Sequence, residues 1–271
     1  MANRMTTLCF ETFGSPAAPP ILLISGAAAS MDYWEPEFCE RLAAERYVIR
    51  FDHRDTGRSP TDPPGKPGYT GDDLVSDAVG LIDAVAGGRA HVVGVSMGGG
   101  IAQSIAVFHP DRVAALTLIA TSPGGDGLPP PADRARTAFD NPEPEPDWTD
   151  PDAVVDYLVE IERPFAGRIF DEEATREVAR RVVARATNVQ SSGNHWLVVG
   201  DAGEDPGPRL GEVRVPTLVI HGTDDPLFPP AHGEALARAI PGARLLMLDG
   251  MGHQTPPRST WDVVVPAILD L

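Results

Sequence analysis

The sequence of 271 residues has only two cysteines, Cys9 and Cys39. Two cysteines cannot build a disulfide framework and no Cys-x-x-Cys occurs, so both are expected to be small, reduced core residues. No apolar stretch approaches the roughly 18 residues of a spanning helix. Residues 1–7 show neither an apolar run nor a cleavage pattern, so a cytoplasmic protein that does not enter membranes is expected. Basic residues are scarce: 22 Lys and Arg stand against 39 Asp and Glu, a net charge of -17. That balance opposes binding to nucleic acid and to anionic membranes, and leaves a small molecule as the expected partner. Neither a His-x-x-x-His nor a His/Cys cluster is found, so no metal and no cofactor are expected.

What is present is a repeated alternation of apolar strands and amphipathic helices. Strand patterns fall at 7–13, 21–25, 47–52, 91–95, 113–120, 215–221 and 243–248. Helical patterns fall at 35–46, 74–85, 101–108, 231–240 and along the last turns from Trp261 to Leu269, where Pro266 is expected to kink or shift the helix. Asp72 or Asp73 is expected to cap the helix at 74–85. Such alternation means an α/β fold, a mostly parallel sheet with helices on both faces. The run from 124 to 212 is different. Its first part, to Trp148, is rich in Pro, Gly, Asp and Glu and shows little periodicity. Helical patterns return at 152–162 and 171–185, with a weaker one at 187–199. The segment therefore reads as a helical insertion lying over the sheet.

The chain is organised around residues 91–100, His-Val-Val-Gly-Val-Ser-Met-Gly-Gly-Gly. Three valines suit a buried parallel strand, and Ile101, Ile105 and Phe108 follow at helical spacing. Between them Gly94, Ser96 and Gly98 form Gly-x-Ser-x-Gly. A serine on a sharp strand-to-helix turn takes a strained backbone conformation and needs neighbours without bulk two positions away on either side. The turn lifts the Ser96 hydroxyl above the sheet, beside the free N–H groups of a helix start. Taken alone, the same five residues also fit an ordinary glycine-rich turn, so partners elsewhere decide the reading.

A serine hydroxyl needs a neutral imidazole to take its proton and a carboxylate to orient that imidazole. In an open α/β sheet such groups sit on loops at the carboxyl ends of strands. His53, His221 and His253 all meet that condition. His91 lies at the wrong end of its strand, His109 ends a helix, His232 starts one, and His195 in the insertion is placed to touch substrate but reads first as a surface or packing residue. His253 is selected: it closes a two-glycine loop before the last helix and completes the order serine, acid, histidine. After the strand at 215–221 two carboxylates are adjacent. Asp225 is taken as the acid, with Asp224 as the alternative. Two backbone amides must face the developing oxyanion. Met97, directly after Ser96, and Ala27, in the small-residue loop after the second strand, are the expected donors.

These residues in this order resemble the α/β-hydrolase family over essentially the whole chain. The stretch Arg50-Phe51-Asp52-His53-Arg54-Asp55-Thr56-Gly57-Arg58-Ser59 is similar to a structural loop of that family, which keeps His53 out of the triad. That loop, with residues 90–98 and Gly250-Met251-Gly252-His253, is closer to the branch holding methylesterases of anthracyclines. Ser25-Gly26 stands where His-Gly is usual. The resemblance implies a core of 1–123 and 213–271, with a cap at 124–212 between strands six and seven. It also implies hydrolysis of a carboxylic ester through an acyl-enzyme, the substrate being a methyl ester of an aromatic polyketide. Lactone hydrolysis, C–C bond hydrolysis and perhydrolysis use the same triad and stay open, as does a non-catalytic binding protein on this scaffold. Dehalogenases and epoxide hydrolases of the family are disfavoured, because they carry Asp where this chain has Ser96.

Overall fold

The computed structural model describes residues 8–199 and 203–271. Among them seven strands form one sheet: β1 (Phe10–Phe13), β2 (Pro20–Ile24), β3 (Tyr47–Phe51), β4 (Ala90–Val95), β5 (Val113–Ile119), β6 (Thr217–Gly222) and β7 (Arg244–Leu248). Their order is β1-β3-β2-β4-β5-β6-β7. Only β1 is antiparallel to its neighbour, β3; the other pairs are parallel. The part of the first expected strand that reaches Thr7 lies outside the described residues.

Side-chain alternation along each strand fills two separate cores. Leu22, Ile24, Val92 and Leu116 face α2 (Gly71–Val85), α3 (Met97–Phe108) and α8 (Ala231–Ala239). Ile21, Leu23, Val93 and Val95 face α1 (Pro36–Ala43) and α9 (Trp261–Leu269). All four β2 residues just named are fully buried, as a central parallel strand requires. Each such side chain contributes on the order of 1.5–3 kcal/mol through burial. Helix α9 continues through Pro266 instead of breaking there. The missing N–H costs one bond to the carbonyl of Asp262, an exposed residue. Helix α2 is capped one turn earlier than expected. Thr70 is its N-cap, and Asp73 accepts the Thr70 N–H at 2.9 Å from inside the helix.

The chain between β5 and β6 contributes no strand among the described residues. It lies between the fifth and sixth described strands, not the sixth and seventh. It holds α4 (Asp133–Asp140), α5 (Pro151–Glu162), α6 (Glu172–Arg185) and α7 (His195–Val198). Helix α4 falls in the stretch that shows little periodicity. It is short, and only Ala135 is buried, so no apolar stripe marks it in the sequence. The pattern at 187–199 resolves into a 3-10 turn, Gln190–Asn194, followed by α7. Helices α5 and α6 share a core of their own, built on Val154, Leu158, Val159, Val178 and Val182.

Buried ion pairs fasten this segment to the sheet. Arg185, at the end of α6, reaches Asp52 Oδ1 at 2.6 Å and Asp32 Oδ2 at 2.7 Å. Asp52 is fully buried at the end of β3. Arg185→Met would leave two buried carboxylates without their cation, which typically costs about 3–5 kcal/mol. Urea denaturation should show a loss of that size; a loss under about 1 kcal/mol would mean the clamp is not structural.

Candidate active site

Ser96 stands between β4 and α3 with φ 54° and ψ −118°. That conformation is rare for a residue with a Cβ. The turn closes because Gly94 and Gly98 touch: a Cβ at Gly94 would lie 2.1 Å from the Gly98 carbonyl oxygen, and one at Gly98 2.4 Å from that of Ile24. The Ser96 N–H donates to the Ile119 carbonyl at 2.9 Å, and the Thr121 hydroxyl donates to the Ser96 carbonyl at 3.0 Å. The turn is thus pinned to β5, and the Ser96 side chain faces outward.

The loop after β7 brings His253 to it. Its Nε2 accepts from the Ser96 hydroxyl at 2.8 Å, and its Nδ1–H donates to Asp225 Oδ2 at 3.0 Å. The histidine loop is tied to the acid loop by Asp224 N–H to the Met251 carbonyl, 3.0 Å, and Gly250 N–H to the Thr223 hydroxyl, 2.8 Å. Its other side is tied to the insertion, since the His253 N–H donates to the Phe165 carbonyl at 2.9 Å. Asp225 is buried, and its Oδ1 accepts the Leu227 and Phe228 amides at 2.9 and 2.8 Å. Both lone-pair sets of the carboxylate are therefore directed. Asp224 faces elsewhere: its carboxylate accepts the Arg168 N–H at 3.2 Å, on the insertion side.

Five other histidines, His53, His91, His195, His221 and His232, are bonded away from Ser96. His221 lies behind the acid, with Nε2 3.6 Å from Asp225 Oδ2 and donating to the Phe228 carbonyl at 2.7 Å. His53 donates to the Ser25 carbonyl at 3.2 Å, His91 bonds Thr117, and His232 bridges Ser122 and Pro129. His195 is fully buried, not at the surface. Its Nδ1 accepts the Ala28 N–H at 2.9 Å. On the loop after β2, a Cβ at Gly26 would stand 3.4 Å from the Ser96 Cβ, so this loop lies against the serine. The Ala28 amide is committed to His195, and Ala27 lines the same cavity as Ser96. Met97, the other expected donor, is the first residue of α3, where helix geometry leaves N–H groups without intrahelical partners.

Ser96 and His253 open into a cavity of about 1110 Å³ between the sheet and the insertion. Aromatic side chains form part of its wall. Phe139 packs on Phe165 and Trp196 with ring centroids 5.5 and 5.9 Å apart, and Trp148 packs edge-on to Tyr157. Phe139 and Trp196 remain half-exposed at the rim. Glu162 is one of several charged residues in the wall, and its Oε1 accepts from the Tyr33 hydroxyl at 3.3 Å. Removal from water pushes the Glu162 carboxyl above the usual range, against the opposing pull of His253. Burial and Glu162 together raise the Tyr33 hydroxyl well above its ordinary value. The sequence reading passed over Glu162. A signal existed, because the residue continues the inward stripe of Val155, Leu158 and Val159, where an apolar side chain is the rule.

The description "alpha/beta hydrolase fold" matches residues 19–255, and the chain belongs to that family. It is 33% identical to rhodomycin D methylesterase DnrP of Streptomyces peucetius, across 94% of this chain and 92% of that protein. It is 34% identical to rhodomycin D methylesterase DauP of Streptomyces sp. strain C5, across 92% and 90%. Among solved structures it resembles the enol-lactonase of Burkholderia xenovorans, with a TM-score of 0.73, 26% identity, and 97% and 95% of the two chains covered. No helix among the described residues is long and apolar enough to cross a membrane.

The geometry separates the two acids. Asp225→Asn should slow phosphonylation of Ser96 by a fluorophosphonate roughly 10⁴-fold, because the imidazole loses the partner that fixes its tautomer. Asp224→Asn should change that rate less than about tenfold. The reverse ranking in a stopped-time labelling assay would assign the acid to Asp224.

Proposed function

We propose that this chain is a cofactor-free serine hydrolase that cleaves a carboxylic ester, the substrate being the methyl ester of an aromatic polyketide. The carrying observation is the unbroken contact Ser96–His253–Asp225 at 2.8 and 3.0 Å, facing a cavity with several aromatic side chains in its wall. Ser96 Oγ attacks the ester carbonyl while His253 Nε2 takes its proton. Asp225 holds Nδ1–H and stabilises the imidazolium. The amides of Ala27 and Met97 bind the carbonyl oxygen as it becomes negative. His253 then protonates the departing alcohol, and in the second half it activates water to release the acid from Ser96.

Two observations support the substrate class. Phe139, Phe165, Trp148 and Trp196 offer flat apolar surface, suited to a fused-ring acyl group. The two Streptomyces relatives are methylesterases of rhodomycin D by name. The domain reading is a core of 1–123 and 213–271 with a cap at 124–212, and the cap supplies most of the cavity wall. We place the enzyme in the cytoplasm, with a small-molecule ester as its partner. Lactone hydrolysis is the second reading, favoured by the likeness to the enol-lactonase.

A panel of methyl esters and lactones, including aromatic polyketide esters, tests this. Ser96→Ala should remove turnover, at least ~10³-fold, and abolish fluorophosphonate labelling. Turnover or labelling that survives in Ser96→Ala would overturn the proposal. Faster cleavage of lactones than of methyl esters would shift it to the second reading.

A further inference from the structure

The loop that carries Ala27 is built of small residues, Gly26, Ala27, Ala28 and Ala29, with no long side chain to hold its shape. It is nevertheless strained. Ala28 has φ 59°, in the left-handed region that disfavours any residue with a Cβ. A backbone in such a state persists only when its surroundings over-determine it. Two histidines supply that constraint.

At one end, His53 Nε2–H donates to the Ser25 carbonyl at 3.2 Å. At the other, His195 Nδ1 accepts the Ala28 N–H at 2.9 Å. An acceptor at Nδ1 requires the proton of neutral imidazole to sit on Nε2, and His195 Nε2–H donates to the Arg54 carbonyl at 2.8 Å. Arg54 is itself held by a fork to Asp77, at 2.6 and 2.7 Å. The two rings meet edge to face, 5.7 Å apart at 88°. Both are fully buried, and burial pushes His53 down to about 3 and lowers His195 too, so each keeps one acceptor nitrogen.

We propose that His53 and His195 are positioning residues that bracket the loop after β2 and thereby aim the Ala27 amide at the carbonyl oxygen of an ester bound at Ser96. This rests on the reading of Ser96 as nucleophile given above. It gives a role to the loop His53-Arg54-Asp55-Thr56-Gly57-Arg58-Ser59, which presents the Arg54 carbonyl that fixes the His195 tautomer. It also gives the insertion a part in the chemistry, since His195 belongs to α7 and not to the sheet.

The decisive variants are His195→Ala and His195→Asn, assayed on the ester that the wild type turns over best. Asn places Oδ1 where Nδ1 stands and keeps the acceptor for Ala28. His195→Ala should lower kcat about ten- to a hundredfold with KM changed less than about twofold, a fraction of the ~10²–10³ that follows removal of a whole oxyanion donor. His195→Asn should recover kcat to within about threefold of wild type. Unchanged kcat in His195→Ala, or equal loss in both variants, would overturn the bracket. Should the variants fail to fold, the imidazole nitrogen-15 shifts of the wild type decide: a neutral Nε2–H form of His195 supports the bracket, and an Nδ1–H or charged ring rules it out. Labelling of wild-type Ser96 by a fluorophosphonate separates the two readings. No labelling would sink the hydrolase assignment, whereas normal labelling with kcat unchanged in His195→Ala would sink only the bracket.

Discussion

The architecture depends on holding one residue in a conformation it would not choose. Ser96 at φ 54° lies in a region whose occupation costs of order 1–3 kcal/mol. An isolated strand-turn-helix would relax. Here β4 is paired on both sides, by β2 over residues 91–94 and by β5 in one register over residues 91–95. Helix α3 sits so close that Gly94 and Gly98 are nearly in contact. The turn therefore cannot unwind without separating a helix from the sheet centre. That is why the nucleophile is placed on the central strand: only there is enough buried surface available to offset the strain.

The insertion follows a different logic. It has its own small apolar core between α5 and α6, while Val198 of α7 joins the core built on Leu22 and Val92. Its junction with the core carries directed polar contacts: Arg185 on Asp32 and Asp52, Arg181 on Glu35, Glu177 on Arg258, the Phe165 carbonyl on the His253 amide, and His195 on Ala28. Apolar contact alone would tolerate sliding. Buried charge pairs and single hydrogen bonds do not, because a shifted partner leaves an uncompensated polar group. The roof of the cavity is thus fixed in register with the serine, and the histidine loop is held from both sides.

Much of this was legible in the sequence, for reasons that can be named. The sheet strands are short apolar runs bounded by turns, and the strand-turn-helix around Ser96 announces itself through Gly94 and Gly98. What could be read less well follows from weak periodicity. Helix α4 buries only Ala135, so it has no stripe to detect. The choice between Asp224 and Asp225 depends on which way each side chain leaves a turn, and spacing does not carry that information. His195 was read as surface or packing because the pattern around it breaks into a 3-10 turn and one α turn. Its burial and its bond to Ala28 arise from contacts 167 residues apart in sequence. Glu162 is the converse case, a local rule broken on an apolar helix face, as expected where a site displaces the core.

Charge then fits the direction of the proposed reaction. The protein is strongly acidic overall, with net charge -17, and Glu162 stands in the cavity wall. A neutral ester experiences little of this field on entry. Negative charge appears first on the carbonyl oxygen, where the Ala27 and Met97 amides and the start of α3 offer compensating dipoles a few ångströms away. After hydrolysis the same charge resides on a free carboxylate that has left those amides. In the proposed reaction, stabilisation is thus concentrated at the oxyanion and at the stage where that charge exists.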